Sequence, residues 1–164
     1  MAISSRARVM TLGLSMAFLA MAADQISKWW ILERVMQPPR VIPVTDFFNL
    51  VLGWNRGVSF GLFNNPGSSA WLLTGVALAL VSFLLVWLWR SGGVWLPVAL
   101  GLIIGGAIGN VIDRVRFGAV TDFLDFYIGG WHWPAFNMAD LAISVGVAIL
   151  ILDSLFQRPE NPDT

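Results

Sequence analysis

Ten residues in this sequence of 164 stand out as candidates for chemistry, most of them near the ends of long apolar runs: Asp24, Lys28, Asn55, Asn110, Asp113, Arg114, Asp122, Asp125, Asn137 and Asp140. Ionisable groups at a membrane edge are costly, so they are read first as functional. Their types narrow the reaction. There is no cysteine, which removes thiol nucleophiles and disulfides. The one histidine, His132, is a poor basis for a serine triad or a histidine-ligated zinc. A Ser–Lys pair could be drawn from Lys28 with Ser27 or Ser59, but nothing in the spacing aims them at each other. Carboxylates from different segments are the best-supplied pair. Two acids held close together cannot both ionise cheaply, so they share a proton. The ionised one takes a proton from water while the protonated one polarises a carbonyl and later protonates the leaving amine. That is peptide hydrolysis, and it needs neither metal nor cofactor. Spacing alone does not say which aspartates pair.

Each residue also has a structural reading. Asp24 and Lys28 lie four apart, on one face of a helix. Asp113 and Arg114 follow Gly101, Gly105 and Gly109, a small-xxx-small stripe that lets another helix approach closely and would make this helix central. Asp122 and Asp125 in Val120-Thr-Asp-Phe-Leu-Asp-Phe126 read equally as a solvated loop with aromatic anchors. Asn137 and Asp140 have the spacing of a helix N-cap with an acid at the third position, and Pro134 suits a helix start. Asn55 and Gly57 suit a turn. His132 is given no role. What independent structural roles explain poorly is that so many polar residues should share one side of a membrane.

The elements that must position them are read from composition. Hydrophobic residues make up 57% of the chain, charged residues 12%, and mean hydropathy is +0.72, which excludes an ordinary soluble domain. Net charge is zero, so no basic surface argues for nucleic acid. Nine tryptophans suit membrane interfaces. Four spans are expected near 9–31, 70–89, 94–112 and 134–155 within a single domain covering 1–164, with residues 114–133 a polar, aromatic loop. Residues 33–68, broken by prolines and glycines, favour short strands and a small sheet-like element outside the membrane. Read alone, the first 23 residues also resemble a secretory signal with Ala20-Met21-Ala22 as cleavage site; the other reading is a retained span running on through Asp24 and Lys28. Four spans put both termini on one side and collect Asp24, Lys28, Asn55, Arg56, Asn110, Asp113, Arg114, Asp122, Asn137 and Asp140 on the other. Lysine and arginine number four on the terminal side and six on the other, but the four fall in far shorter segments, so the termini are expected to be cytoplasmic.

Five blocks, in order, resemble the lipoprotein signal peptidase (signal peptidase II) family: Asp24-Gln-Ile-Ser-Lys28, Trp54-Asn-Arg-Gly-Val-Ser-Phe60, Gly105-Gly-Ala-Ile-Gly-Asn-Val-Ile-Asp-Arg114, Gly118-Ala-Val-Thr-Asp-Phe123 and Phe136-Asn-Met-Ala-Asp140. The resemblance covers nearly the whole chain. It implies an all-α membrane protein of four transmembrane helices with a small periplasmic β-like cradle between spans 1 and 2, set in the bacterial inner membrane. It implies an aspartic endopeptidase that cuts prolipoproteins before the diacylglyceryl-modified cysteine. The catalytic roles fall on Asp122 and Asp140, while Asp24, Lys28, Asn55, Asn110, Asp113, Arg114 and Asn137 match positions that support the site or contact substrate. Lipid-modified prolipoproteins and membrane lipid are the expected partners, and a monomer is the expected state. Two readings from other classes stand beside it. One is a proton- or cation-coupled transporter using the carboxylates as a relay; the other is a non-catalytic scaffold packed through the glycine stripe.

Overall fold

A computed structural model describes residues 2–57 and 66–156. Ser59, and with it the second half of the Trp54–Phe60 block, lies outside the described residues. The elements are α1 (Ala2–Trp30, prolonged by a π-helical turn at Ile31–Val35), β1 (Ile42–Thr45), β2 (Phe48–Asn55), α2 (Pro66–Arg90), α3 (Trp95–Phe117), β3 (Val120–Ile128), β4 (Trp131–His132) and α4 (Met138–Phe156). All four α-helices contain a stretch long and apolar enough to cross a membrane.

The bundle is organised around α3. Its most apolar window is 67% buried, against 22% or less for the other three helices. Lipid tails are as apolar as leucine, so helices in a bilayer associate by close packing and not by hydrophobic exclusion. The glycines supply that closeness. A β-carbon at Gly101 would run into the carbonyl of Gly13, one at Gly105 into that of Ala17, and one at Gly109 into the Asp24 carboxylate. On a neighbouring face Gly106 meets the carbonyl of Ala139, and Gly146 of α4 lies against that of Ala99. Between them these contacts leave α3 sandwiched by the backbones of α1 and α4. Against α2 the packing is larger side chains instead: Val81, Leu84 and Leu88 cluster with Leu100, Ile103 and Ile104.

A four-stranded antiparallel sheet in the order β1-β2-β3-β4 joins the ends of α1 and α3, packed through Ile31, Met36 and Phe123. In the β2–β3 pair, Leu50 faces Leu124 while Gly53 faces Asp122, so the extra residue is on β2 and β3 stays regular. Regular alternation puts Asp122, Leu124 and Phe126 on one face of β3, and Phe123 and Asp125 on the other.

The expected short strands in 33–68 are β1 and β2. Three differences from expectation bear on the polar region. First, α3 does not stop at Asp113-Arg114 but continues to Phe117 and ends at Gly118, whose φ of 69° is the left-handed C-cap conformation. The charges do not terminate the helix because they find protein partners instead of water. Second, residues 114–133 are no loop: β3 pairs along β2, so the sheet is completed from beyond span 3 and is not confined between spans 1 and 2. Third, α4 begins at Met138, not at Pro134. The amide and carbonyl of Phe136 bond to Leu124, which keeps residues 133–136 extended beside β3.

Candidate functional site

At the centre of the polar region is one ammonium between two carboxylates. Lys28 Nζ lies 2.8 Å from Asp24 Oδ2, 3.0 Å from Asp113 Oδ2 and 3.1 Å from Asn110 Oδ1. All three charged side chains are buried. A buried ion cluster with surplus charge is tolerated only where hydrogen bonds fill the remaining lone pairs. Here Gln25 Nε2 donates to Asp24, to Asp113 and to the Gly109 carbonyl. Two backbone amides complete the set. Thr121 N donates to Asp113 Oδ2 at 2.9 Å, and Ala139 N donates to Asp24 Oδ1 at 2.9 Å. Each of those amides belongs to the residue immediately before Asp122 or Asp140. Thus Asp113 of α3 pins the start of β3, Asp24 of α1 pins the first turn of α4, and Lys28 ties the two pins together.

The two pinned aspartates are then joined by amides. Asn137 Nδ2 donates to Asp122 Oδ1 at 2.7 Å and to Asn110 Oδ1 at 3.3 Å. Asn110 Nδ2 donates to Asp140 Oδ1 at 2.9 Å. Asp140 and Asn137 close a reciprocal cap: Asp140 N to Asn137 Oδ1 at 3.0 Å, and Asn137 N to Asp140 Oδ2 at 3.3 Å. The capping reading of Asn137 and Asp140 therefore holds, and the same two side chains also reach the acids' network.

Asp122 is 3% exposed and Asp140 partly exposed. Burial raises the Asp122 carboxyl most, hydrogen bonds from Asn55 and Asn137 oppose it, and the nearby Asp140 charge raises it again; the result is a pKa pushed up to about 6. Asn55 combines both roles considered for it, because its Oδ1 accepts the Gly57 amide at 2.8 Å in a turn while its side chain reaches Asp122. Arg114 faces the charges of Asp140, Asp113 and Asp122, and its Nη1 donates to the Asn110 carbonyl at 3.4 Å.

Every one of the nine site residues is therefore in one connected region. Asp125 is not: it is on the opposite face of β3, with Asn49 and His132 as partners. Gln25 was missed in the sequence, although an amide side chain inside an apolar helix is a signal of the same kind as Asp24. Among the described residues, no group of three or more His, Asp or Glu side chains is placed to hold a metal ion. An apolar groove of about 430 Å³ opens further along β3, lined by Phe47, Phe126, Tyr127, Trp131, Trp133 and Phe136. Chemically, the site offers two carboxylates from separate segments, one of them desolvated, held in register by asparagine amides.

A family model described as signal peptidase (SPase) II matches residues 16–156. The chain is 50% identical over 157 residues to the lipoprotein signal peptidase of Methylorubrum extorquens (strain PA1), covering 93% of this chain and 90% of that protein. It is 45% identical over 146 residues to the lipoprotein signal peptidase of Cupriavidus taiwanensis, covering 88% and 82%. Its fold is similar to that of a bacterial membrane enzyme solved by the in meso method at 1.9 Å resolution, with a TM-score of 0.78, 27% identity, and 89% and 94% of the two chains covered.

Proposed function

Since this chain belongs to the signal peptidase II family, we propose that it is a membrane aspartic endopeptidase acting on prolipoproteins, with Asp122 and Asp140 as its catalytic pair. The observation that carries the reading is the bridge between the two acids: Asn137 donates to Asp122, and Asn110 donates to Asp140. In this reading Asp122, the carboxyl that burial raises to about 6, takes the role of the acid that carries the shared proton. Asp140 accepts hydrogen bonds at both oxygens in the first turn of α4, where helix amides favour an anion. Asp140 takes a proton from water as the oxygen attacks the scissile carbonyl carbon, and Asp122 protonates the carbonyl oxygen. The resulting gem-diol collapses: one hydroxyl proton returns to Asp122, the proton on Asp140 goes to the leaving nitrogen, and the C–N bond breaks. Water is consumed, a carboxylic acid and an amine are released, and the pair regains its single proton.

The bond cut is the one before a diacylglyceryl-modified cysteine. A substrate anchored by two acyl chains meets the protein at the bilayer boundary, where β3, just past the end of α3, carries Asp122 and the first turn of α4 carries Asp140. The site then faces the periplasm, both termini face the cytoplasm, and the membrane is the bacterial inner membrane. A transport relay finds no support in this arrangement, because Asp122 is on a strand and Asp140 in the first turn of its helix, not at the middle of a span.

The test is cleavage of a lipid-modified precursor by purified protein in phospholipid vesicles. Asp122→Asn and Asp140→Asn are each expected to reduce turnover by about 10⁴-fold or more, as loss of a unit acting in concert does. Wild-type turnover by either variant would overturn the assignment.

A further inference from the structure

Asp125 is only 6% exposed, yet takes no part in the acid pair. Its carboxylate is nonetheless fully engaged. Asn49 Nδ2 donates to Oδ2 at 2.9 Å, and His132 Nδ1 lies 2.8 Å from Oδ1 and 3.0 Å from Oδ2. These partners come from the strands on either side of β3: Asn49 is the direct register partner of Asp125 on β2, and His132 is on β4. The His132 ring also stacks on Tyr127, with centroids 5.0 Å apart and planes at 17°. Tyr127 donates through its hydroxyl to the Thr45 carbonyl at 3.3 Å. One face of the sheet is thus stitched by side chains from β1 to β4.

The stitching has a target. β4 is two residues long and pairs with β3 only through Tyr127↔His132 and Ile128↔Trp131, too little to hold itself in place. From His132 the chain runs directly along β3. Trp133 N bonds to the Phe126 carbonyl, Phe136 N to the Leu124 carbonyl, and Leu124 N to the Phe136 carbonyl. The next residue is Asn137, which donates to Asp122, and three further on is Asp140. The only chain linking the two acids directly therefore passes through His132, with Asp125 as its fixed point.

We propose that His132, held by Asp125 and Asn49, is a positioning residue: it sets the register of residues 133–137 against β3 and thereby the reach of Asn137 to Asp122. This rests on the reading of Asp122 and Asp140 as the catalytic pair. His132 touches neither acid and acts only through the strand it fixes. Asp125 suits an anchor because it stays ionised. Burial pushes its carboxyl up, but hydrogen bonds from Asn49 and His132, with the His132 charge, together bring it below the usual carboxylate range.

The test compares His132→Ala, His132→Gln and His132→Asn in the full-length protein, assayed in vesicles on a lipid-modified precursor. The asparagine amide nitrogen falls where Nδ1 lies, whereas the glutamine amide extends to the Nε2 position. Alanine and glutamine are expected to lower kcat about tenfold to 100-fold, the effect of roughly 1 Å of misplacement, with KM within about twofold of wild type. Asparagine is expected to recover most of kcat. Unchanged kcat in the alanine and glutamine variants, a change confined to KM, or an asparagine variant no better than glutamine would each overturn the proposal. If alanine does not fold, the asparagine–glutamine contrast decides alone. Hydrogen exchange at residues 133–137 keeps the two readings separable. Faster exchange in His132→Gln than in His132→Asn supports the positioning role even if Asp122→Asn proves active, and equal exchange sinks it.

Discussion

A carboxylic acid buried without a full counter-charge costs the fold something, and Asp122, one of the two proposed catalytic acids, makes that cost measurable. In the unfolded chain its carboxyl releases its proton near 3.8; folded, it keeps the proton up to about 6. The stabilising contribution of the protonated form is therefore complete below 3.8 and is lost as pH rises through 6. Asp122→Asn keeps an acceptor for Asn137 Nδ2 while removing the charge. The variant is expected to be more stable than wild type by about 2–3 kcal/mol at pH 8, with the difference vanishing near pH 4. Denaturation of both proteins in the same detergent at the two pH values checks this. A variant less stable at pH 8 would make Asp122 a structural carboxylate. The residue types were legible in the sequence, but their grouping was not. Asp113, Asp122 and Asp125 read alike as polar residues in one stretch, and only the family blocks singled out Asp122. The physical distinction is that Asp113 is consumed by Lys28 and the Thr121 amide, while Asp125 points to the opposite face of β3.

At the scale of elements, the spans could be read because a charge-free run of some 20 residues has few other uses. The end of α3 could not. Asp113 and Arg114 resemble a membrane exit unless their partners, among them Lys28 far upstream, are known. β3 was hidden for a related reason. Its aspartates are three apart, on opposite faces of a strand, so no clean alternation is visible, and its partner β2 lies about 70 residues upstream. The glycine stripe was legible in full, and it makes a directional prediction. At Gly105 an added side chain would strike the Ala17 carbonyl, which is helix backbone and cannot yield. Gly75 on α2 has nothing within 4 Å of an added β-carbon. Gly105→Leu is expected to destabilise by about 2–4 kcal/mol through overpacking, while Gly75→Leu stays within about 1 kcal/mol of wild type. Thermal unfolding in detergent, with cleavage as a second readout, separates the two. Equal losses would mean that α1 and α3 do not meet through this stripe.

Across the whole molecule the acids depend on a connection that neither of them touches. Lys28 holds Asp24 and Asp113, Asp24 fixes the amide before Asp140, and Asp113 fixes the amide before Asp122. Two helices, a strand and the cap of a third helix thus share one buried ammonium. Removing it leaves two buried carboxylates facing each other, and breaking a buried ion pair from one side costs about 3–5 kcal/mol. Lys28→Met is expected to lose that much stability and to lose cleavage with it. The informative variant is the double change Asp24→Asn with Lys28→Met. An asparagine can still accept the Ala139 amide, and the remaining carboxylate of Asp113 keeps Gln25 and the Thr121 amide as donors. If Lys28 serves to balance charge within a hydrogen-bonded frame, the double variant regains about half or more of the stability lost by Lys28→Met, since neighbouring sites are not additive. If the ammonium is itself needed to set the distance between β3 and α4, stability returns but turnover does not. Unfolding and single-turnover cleavage measured on the same preparations distinguish these outcomes. A double variant as unstable as Lys28→Met would show that the cluster is not the joint between the two acid-bearing segments.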